Sequence, residues 1–261
     1  DCHVRSVEFR LITAVICVRG QMVTADNRDE ILAALNYGDL KVTGRLVDAS
    51  NATLFGEITV GEKVFNCIYK PVTGERPLWD FPDGTLANRE YAAYLISEAM
   101  QLNCVPPTLL REGPFGLGMV QLWIDIDEEV DLAELYRQDL PGLRNLAFFD
   151  VVVNNTDRKI GHLLPIPNGH IYGCDHGVTF HSEDKLRTVL WQWEQDELLA
   201  SEIATLDLLQ NELGSEVGEQ IKQLITQEEF IALQSRVSRL LATKVFPSPS
   251  PDWPAVPWPP F

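Results

Sequence analysis

The sequence predicts an α+β fold in two lobes, a small antiparallel sheet with one inserted helix followed by a mainly helical part. Two patterns lead there. Residues 39–47 and 53–71 alternate apolar and polar side chains with β-branched enrichment, as half-buried antiparallel strands do. Beyond Asp125 the apolar residues recur instead at helical spacing. With 261 residues, 45% of them hydrophobic, the chain can bury a core of the size such a fold needs.

The elements follow in order. Residues 1–21 read either as an ordinary first strand or as an extension outside the domain; the boundary drawn at Met22 makes 22–124 the sheet lobe. That lobe is expected to be mainly sheet. Gly74, Pro77, Pro82 and Gly84 break the pattern over 73–84, so this stretch is a long loop. Thr85 is placed to cap a helix over 86–102, in which Tyr91, Tyr94, Leu95, Ala99 and Leu102 share a face. Strands near 105–110 and 118–124 complete the sheet. The helical lobe, 125–246, carries helices over 132–136, 143–154, 197–213, 216–225 and 227–245. A hairpin, 162–165 with 170–174, interrupts them and turns at Asn168-Gly169. The tail, 247–261, is rich in proline and tryptophan, and is either a strap on its own domain or a ligand for a partner. Two lobes leave a cleft at their junction, a favoured ligand site.

Composition narrows the partners. Thirty-eight acidic against twenty-one basic side chains give a net charge of −17, which repels nucleic acid and anionic lipid over the whole molecule. A nucleotide remains admissible, because a few fixed cations and a metal make a local positive pocket. Five scattered cysteines lack zinc-binding spacings and read as reduced thiols in the cytoplasm. The apolar run 11–18 is too short to cross a bilayer, so no transmembrane segment is expected.

Phosphoryl transfer from ATP needs cations on the phosphates, ligands for a divalent metal and a carboxylate beside the attacking hydroxyl. Candidates occur in a workable order: Lys70 ending a strand, Glu90 on the next helix, Asp157 and His162 in one turn, and Asp175 after the hairpin. Each has a plainer structural explanation on its own, from a solvated strand end to a turn aspartate.

Taken together, Ile68-Tyr69-Lys70-Pro71, Ser97-Glu98-Ala99, Asn155-Thr156-Asp157-Arg158 and Cys174-Asp175-His176-Gly177 resemble the phosphatidylinositol 3- and 4-kinase superfamily, closest to its small type II-like branch and to HipA-type kinases. The runs 74–85 and 185–191 resemble an actinobacterial kinase-like family of poorly defined activity. The resemblance implies a bilobal protein-kinase-like fold and an ATP-dependent kinase using Mg2+ or Mn2+. It implies that Lys70 holds the ATP phosphates and that Glu90 pairs with it, Glu98 being the rival. Ser50, Asn51 and Thr53 would belong to the phosphate-covering turn, and Gln121 and Trp123 to the hinge beside adenine. Asp157 would orient the acceptor hydroxyl and take its proton, Arg158 would neutralise charge or brace the loop, and Lys159 stands where lipid-kinase relatives carry histidine. Asp175 would hold the metal. His162 replaces the usual asparagine ligand, an unusual choice for magnesium but suited to manganese. The acceptor, on a protein, a small molecule or a lipid, is left open, as is an ATP-binding scaffold without efficient transfer.

Overall fold

The computed structural model describes Val23, residues 25–46 and residues 51–261. The expected extension, Ser50, and cysteines 2 and 17 lie outside the described residues. Five antiparallel strands, β1 (Asp39–Arg45), β2 (Leu54–Val60), β3 (Lys63–Pro71), β4 (Thr108–Gly113) and β5 (Gly116–Leu122), form a sheet in the order β1-β2-β3-β5-β4. Alternation sets the register of β2 on β3, from Leu54 opposite Tyr69 to Val60 opposite Lys63. β4 runs on to Gly113 because its hairpin turns on Pro114-Phe115, so the glycines flanking that turn lie in strands rather than in a loop.

The small lobe holds one helix more than the sequence reading expected. α1 (Ala25–Tyr37) buries Ile31, Ala34 and Leu35 in the cluster formed by Ile58, Phe65, Cys67 and Tyr69 on one face of the sheet. Gly38 closes that contact. A Cβ there would lie 2.4 Å from the Ile58 Cγ2 atom, so only glycine lets the chain leave α1 against β2. The inserted helix, α2 (Leu86–Ala99), joins β3 to β4. It ends three residues earlier than expected, because Gln101 and Asn103 adopt left-handed backbone at φ 55° and 50°.

α2 has two allegiances. Ala92, Ala93 and Ile96 sit in the core of the large lobe, beside α4 (Pro141–Val153), α5 (Ala200–Glu212), α6 (Glu216–Lys222) and α7 (Gln227–Thr243). Arg89, fully buried, reaches Glu229 of α7 at 2.7 Å and the Thr179 carbonyl at 2.8 Å. The helix that carries Glu90 is thus bolted to the lobe that carries the aspartates. α3 (Leu132–Leu135) is a single turn capped by Asp131. The hairpin of β6 (Leu163–Pro165) and β7 (Ile171–Gly173) turns at Asn168-Gly169 with Gly169 at φ 83°, as expected.

Residues 247–261 lie on the molecule as a strap. The Ala255 carbonyl accepts from Thr188 N–H at 3.0 Å and Trp191 Nε1–H at 2.8 Å, and the Pro260 carbonyl accepts from Ile160 N–H at 2.9 Å. Among the described residues no helix is long and apolar enough to cross a membrane.

Candidate active site

β3 alternates its side chains so that Tyr69 and Cys67 enter the core beneath α1 while Lys70 and Ile68 face the other way, toward α2 and the large lobe. The amine of Lys70 lies 2.6 Å from Glu90 Oε1 and 2.7 Å from Asp175 Oδ1. Burial opposes its charge, but the two carboxylates outweigh it and hold the amine well above the usual lysine range. The other oxygen of Glu90 accepts from His176 N–H at 2.8 Å, so one carboxylate clamps both the lysine and the backbone beside Asp175. Glu98 faces elsewhere, 2.5 Å from Arg28 on α1, which decides the rivalry for Lys70 in favour of Glu90.

Glu90 is positioned by its helix, and that helix is capped from an unexpected source. Thr85 makes no side-chain cap; it donates to the Pro82 carbonyl instead. The Glu75 carboxylate accepts from Leu86 N–H at 3.0 Å and Ala87 N–H at 2.8 Å. The long loop therefore folds back to start the helix.

In the large lobe α4 ends where Asn154 turns left-handed at φ 53°, and the four residues after it form the loop beneath the cleft. Asp157 faces the cleft with Lys159 3.3 Å away, and its N–H is held by Asn155 Oδ1 at 3.0 Å. Burial pushes the Asp157 carboxyl above the usual aspartate range, against the pull of Lys159. Arg158 points backward. It is fully buried, pairs with Asp150 through Nε at 2.9 Å and a terminal nitrogen at 2.8 Å, and donates to the Cys174 carbonyl at 2.9 Å. Of the two roles considered for it, the geometry is that of a brace tying the 154–158 loop to the strand before Asp175, with no edge on the cleft.

Asp175 adopts φ 61°, a left-handed conformation that aspartate tolerates better than most residues. Lys70 holds its carboxyl far below the usual range. The second oxygen of Asp175 lies 3.4 Å from His162 Nε2. Burial lowers the His162 pKa to about 4 against the pull of Asp175, with the nearby cations Arg158, Lys70 and Lys159 acting in the same direction as burial. A neutral imidazole and a carboxylate thus stand side by side, an N,O pair that fits manganese better than magnesium. Among the described residues no group of three metal-ligating side chains occurs, so phosphate oxygens and water would have to complete a metal's coordination. His176, the central residue of the Asp-His-Gly run, is fully buried with Nε2 2.7 Å from Arg158, and acts as part of the brace.

Lys70, Glu90, Asp157 and Asp175 line one cavity of about 370 Å3 between the lobes, with Asn51 at its rim. Asn51 Oδ1 accepts from Arg76 N–H at 2.8 Å. Thr53 is buried, and its carbonyl pairs with Leu46 N–H. Its side chain is not among those lining the cavity, a correction to its expected place over the phosphates. Gln121 is corrected likewise. It is a central-strand residue paired with Ile68 and Thr108, and its side chain donates to the Thr108 hydroxyl at 2.8 Å. Trp123 begins the segment between lobes, its N–H on the Asn66 carbonyl and its ring edge-on to Phe55 at 5.1 Å. A larger apolar cavity, about 490 Å3, is lined by Trp123 with Phe65, Ile166 and Tyr172, away from Lys70, Asp157 and Asp175; Trp123 is not among the residues lining the Lys70 cavity, a correction to its expected place beside the nucleotide.

Sequence reasoning passed over Glu75, Asp150 and Arg187. Glu75 and Arg187 lay inside runs already noted, but which group each meets depends on chain folding over long separations.

No protein-family model matches the sequence. Protein Rv2133c of Mycobacterium tuberculosis is 40% identical over 281 residues, spanning 94% of this chain and all of that protein. Two solved structures share the fold at low identity. Hydra Fam20 with sugar superposes with a TM-score of 0.54 at 13% identity, over 87% of this chain and 91% of that one. The Golgi casein kinase with Mn and ADP bound gives 0.56 at 12%, over 89% and 82%. The fold is the bilobal kinase-like one that the motif order implied.

Proposed function

This chain belongs to the family of Mycobacterium tuberculosis Protein Rv2133c, and we propose that it is an ATP-dependent phosphotransferase working with a divalent metal. The observation that carries this reading is the convergence of Lys70, Glu90, Asp157 and Asp175, drawn from both lobes, on one cavity. A lysine clamped by two carboxylates, with a further carboxylate across the cleft, matches what transfer of a terminal phosphoryl group requires.

In this reading Lys70 neutralises the ATP phosphates, Glu90 fixes its position, and Asn51 covers the phosphates. Asp175 and His162 would hold the metal, which supplies charge stabilisation on the transferring oxygens. A kinase-like structure with Mn and ADP bound supports the same choice of nucleotide and metal class. Asp157 orients the acceptor hydroxyl and accepts its proton late in transfer. The motif order supports a place near the phosphatidylinositol 3- and 4-kinase-like enzymes, although Lys159 and the net charge of −17 point away from a lipid surface. The three described cysteines, Cys67, Cys104 and Cys174, are free thiols, in keeping with a cytoplasmic location.

A second reading, a nucleotide-binding scaffold without efficient transfer, is motivated by the imidazole at 162. Metal-dependent ATP turnover separates the two when measured in the wild type, Asp157→Ala, Asp175→Ala and His162→Asn. A working enzyme loses about 10²-fold or more in turnover in both aspartate variants. Equal background turnover in all four proteins, with ATP still raising the melting temperature, leaves only the scaffold.

A further inference from the structure

The outer half of the cleft is built from segments the transfer reading leaves unused. Arg187 runs alongside the catalytic loop, its N–H on the Asn155 carbonyl at 2.9 Å and its carbonyl accepting from Arg158 N–H at 3.1 Å. Its Nε donates to the Thr156 carbonyl at 2.7 Å, which fixes the guanidinium near Asp157. Among the described residues the terminal nitrogens of Arg187 and the guanidinium of Arg76 make no hydrogen bond or close ion pair, Arg187 lies within electrostatic reach of Asp157, and both residues line the cavity. Lys185, by contrast, is committed to structure. Its amine lies 3.3 Å from Asp80 and 3.4 Å from Glu183, and 4.9 and 4.2 Å from the rings of Trp79 and Trp253. That contact joins the 74–85 loop, the 185–191 run and the C-terminal strap into one wall.

We infer that the phosphoryl acceptor is a small soluble alcohol carrying its own negative charge, held by Arg76 and Arg187 beside Asp157. The inference rests on the phosphotransferase reading. In a chain of net charge −17, two guanidiniums that line the same cavity as Asp157 and make no ion pair within 4 Å among the described residues offer an anion site, Arg187 already drawn toward the Asp157 carboxylate, and their planar forks suit carboxylate or phosphate. The cavity of about 370 Å3 is shared with the nucleotide phosphates and walled by Trp79 and Trp253, stacked 6.4 Å apart, which leaves space for a compact molecule. In the step itself the acceptor oxygen bonds to the γ-phosphorus, the bond from that phosphorus to the bridging oxygen breaks, ADP leaves, and the hydroxyl proton passes to Asp157.

The test uses the full chain with Mn2+. Inorganic phosphate is titrated at saturating non-hydrolysable ATP analogue and followed by tryptophan fluorescence. It is expected to bind the wild type and to bind Arg76→Gln and Arg187→Gln about tenfold more weakly. ADP release is then compared for glycerol, glycerol 3-phosphate and vesicles of phosphatidylglycerol, with the soluble anionic alcohol expected to stimulate most. Phosphate that fails to bind beside the analogue, or that binds all three proteins equally, overturns the inference, as does equal stimulation by glycerol or stimulation by vesicles alone. Loss of analogue binding itself would sink the phosphotransferase reading, and this inference with it; intact analogue binding without an anion site sinks this inference alone.

Discussion

His162 stands where a kinase would ordinarily offer an amide oxygen, and the change of donor atom has a measurable consequence. Its ring is neutral at physiological pH because burial holds the pKa near 4, with Nε2 3.4 Å from Asp175 and Nδ1 accepting from Lys159 N–H at 3.4 Å. His162→Asn is expected to shift the ratio of Mn2+ to Mg2+ in supporting ATP binding roughly tenfold toward magnesium, as read by thermal shift in each metal. Asp157 carries a second consequence. Burial raises its pKa, and transfer needs the ionised form, so activity is fully present above that raised value and is lost as pH falls through it. The acid limb of kcat/KM should therefore lie above the ordinary aspartate pKa. An acid limb at or below that ordinary value would show that Asp157 is not the group being titrated. Both residues were legible from the order of motifs. Arg158 was legible only as a choice between two roles, because its orientation depends on Asp150, eight residues earlier on α4, whose carboxylate takes both of its forks.

At the scale of elements, α2 shows how a helix boundary and the Lys70–Glu90 contact are set together. Periodicity gave its face and Thr85 suggested its start, yet the cap is Glu75, eleven residues before Leu86. Glu75→Ala should remove the partner of two N–H groups at the end that precedes Glu90, costing about 1 kcal/mol in denaturant unfolding, with a larger proportional loss in ATP turnover. A stability change with turnover untouched would mean that Glu90 holds its position without the cap. α1 was absent from the sequence reading, although Ile31, Ala34 and Leu35 followed by Gly38 carry the signal of an apolar face and a stop. The polar residues that dominate its first turns masked that stripe.

Over the whole molecule the lobes are joined less by the segment at Trp123 than by α2, which buries Arg89 against Glu229 and seats Ala92 and Ile96 in the helical core. The strap adds a second tie, Trp253 stacked on Trp79 of the 74–85 loop at 6.4 Å, and is itself anchored on the helical lobe. Deleting residues 247–261 removes the carbonyl partners of Ile160, Thr188 and Trp191, each worth about 1 kcal/mol. The truncated chain should melt at lower temperature and lose turnover, since Ile160 lies between Asp157 and His162. An unchanged melting temperature would show that the strap carries no such load. By itself the sequence determined the kind of each chemistry-bearing side chain, the order in which these follow one another, and the periodicities that separate sheet from helix, because these are properties of neighbours along the chain. Only tertiary structure decided that Glu90 rather than Glu98 meets Lys70, that Arg158 turns inward, and that the tail docks on Ile160 beside the 154–158 loop. Those outcomes depend on which distant surfaces bury one another, and local pattern does not encode that choice.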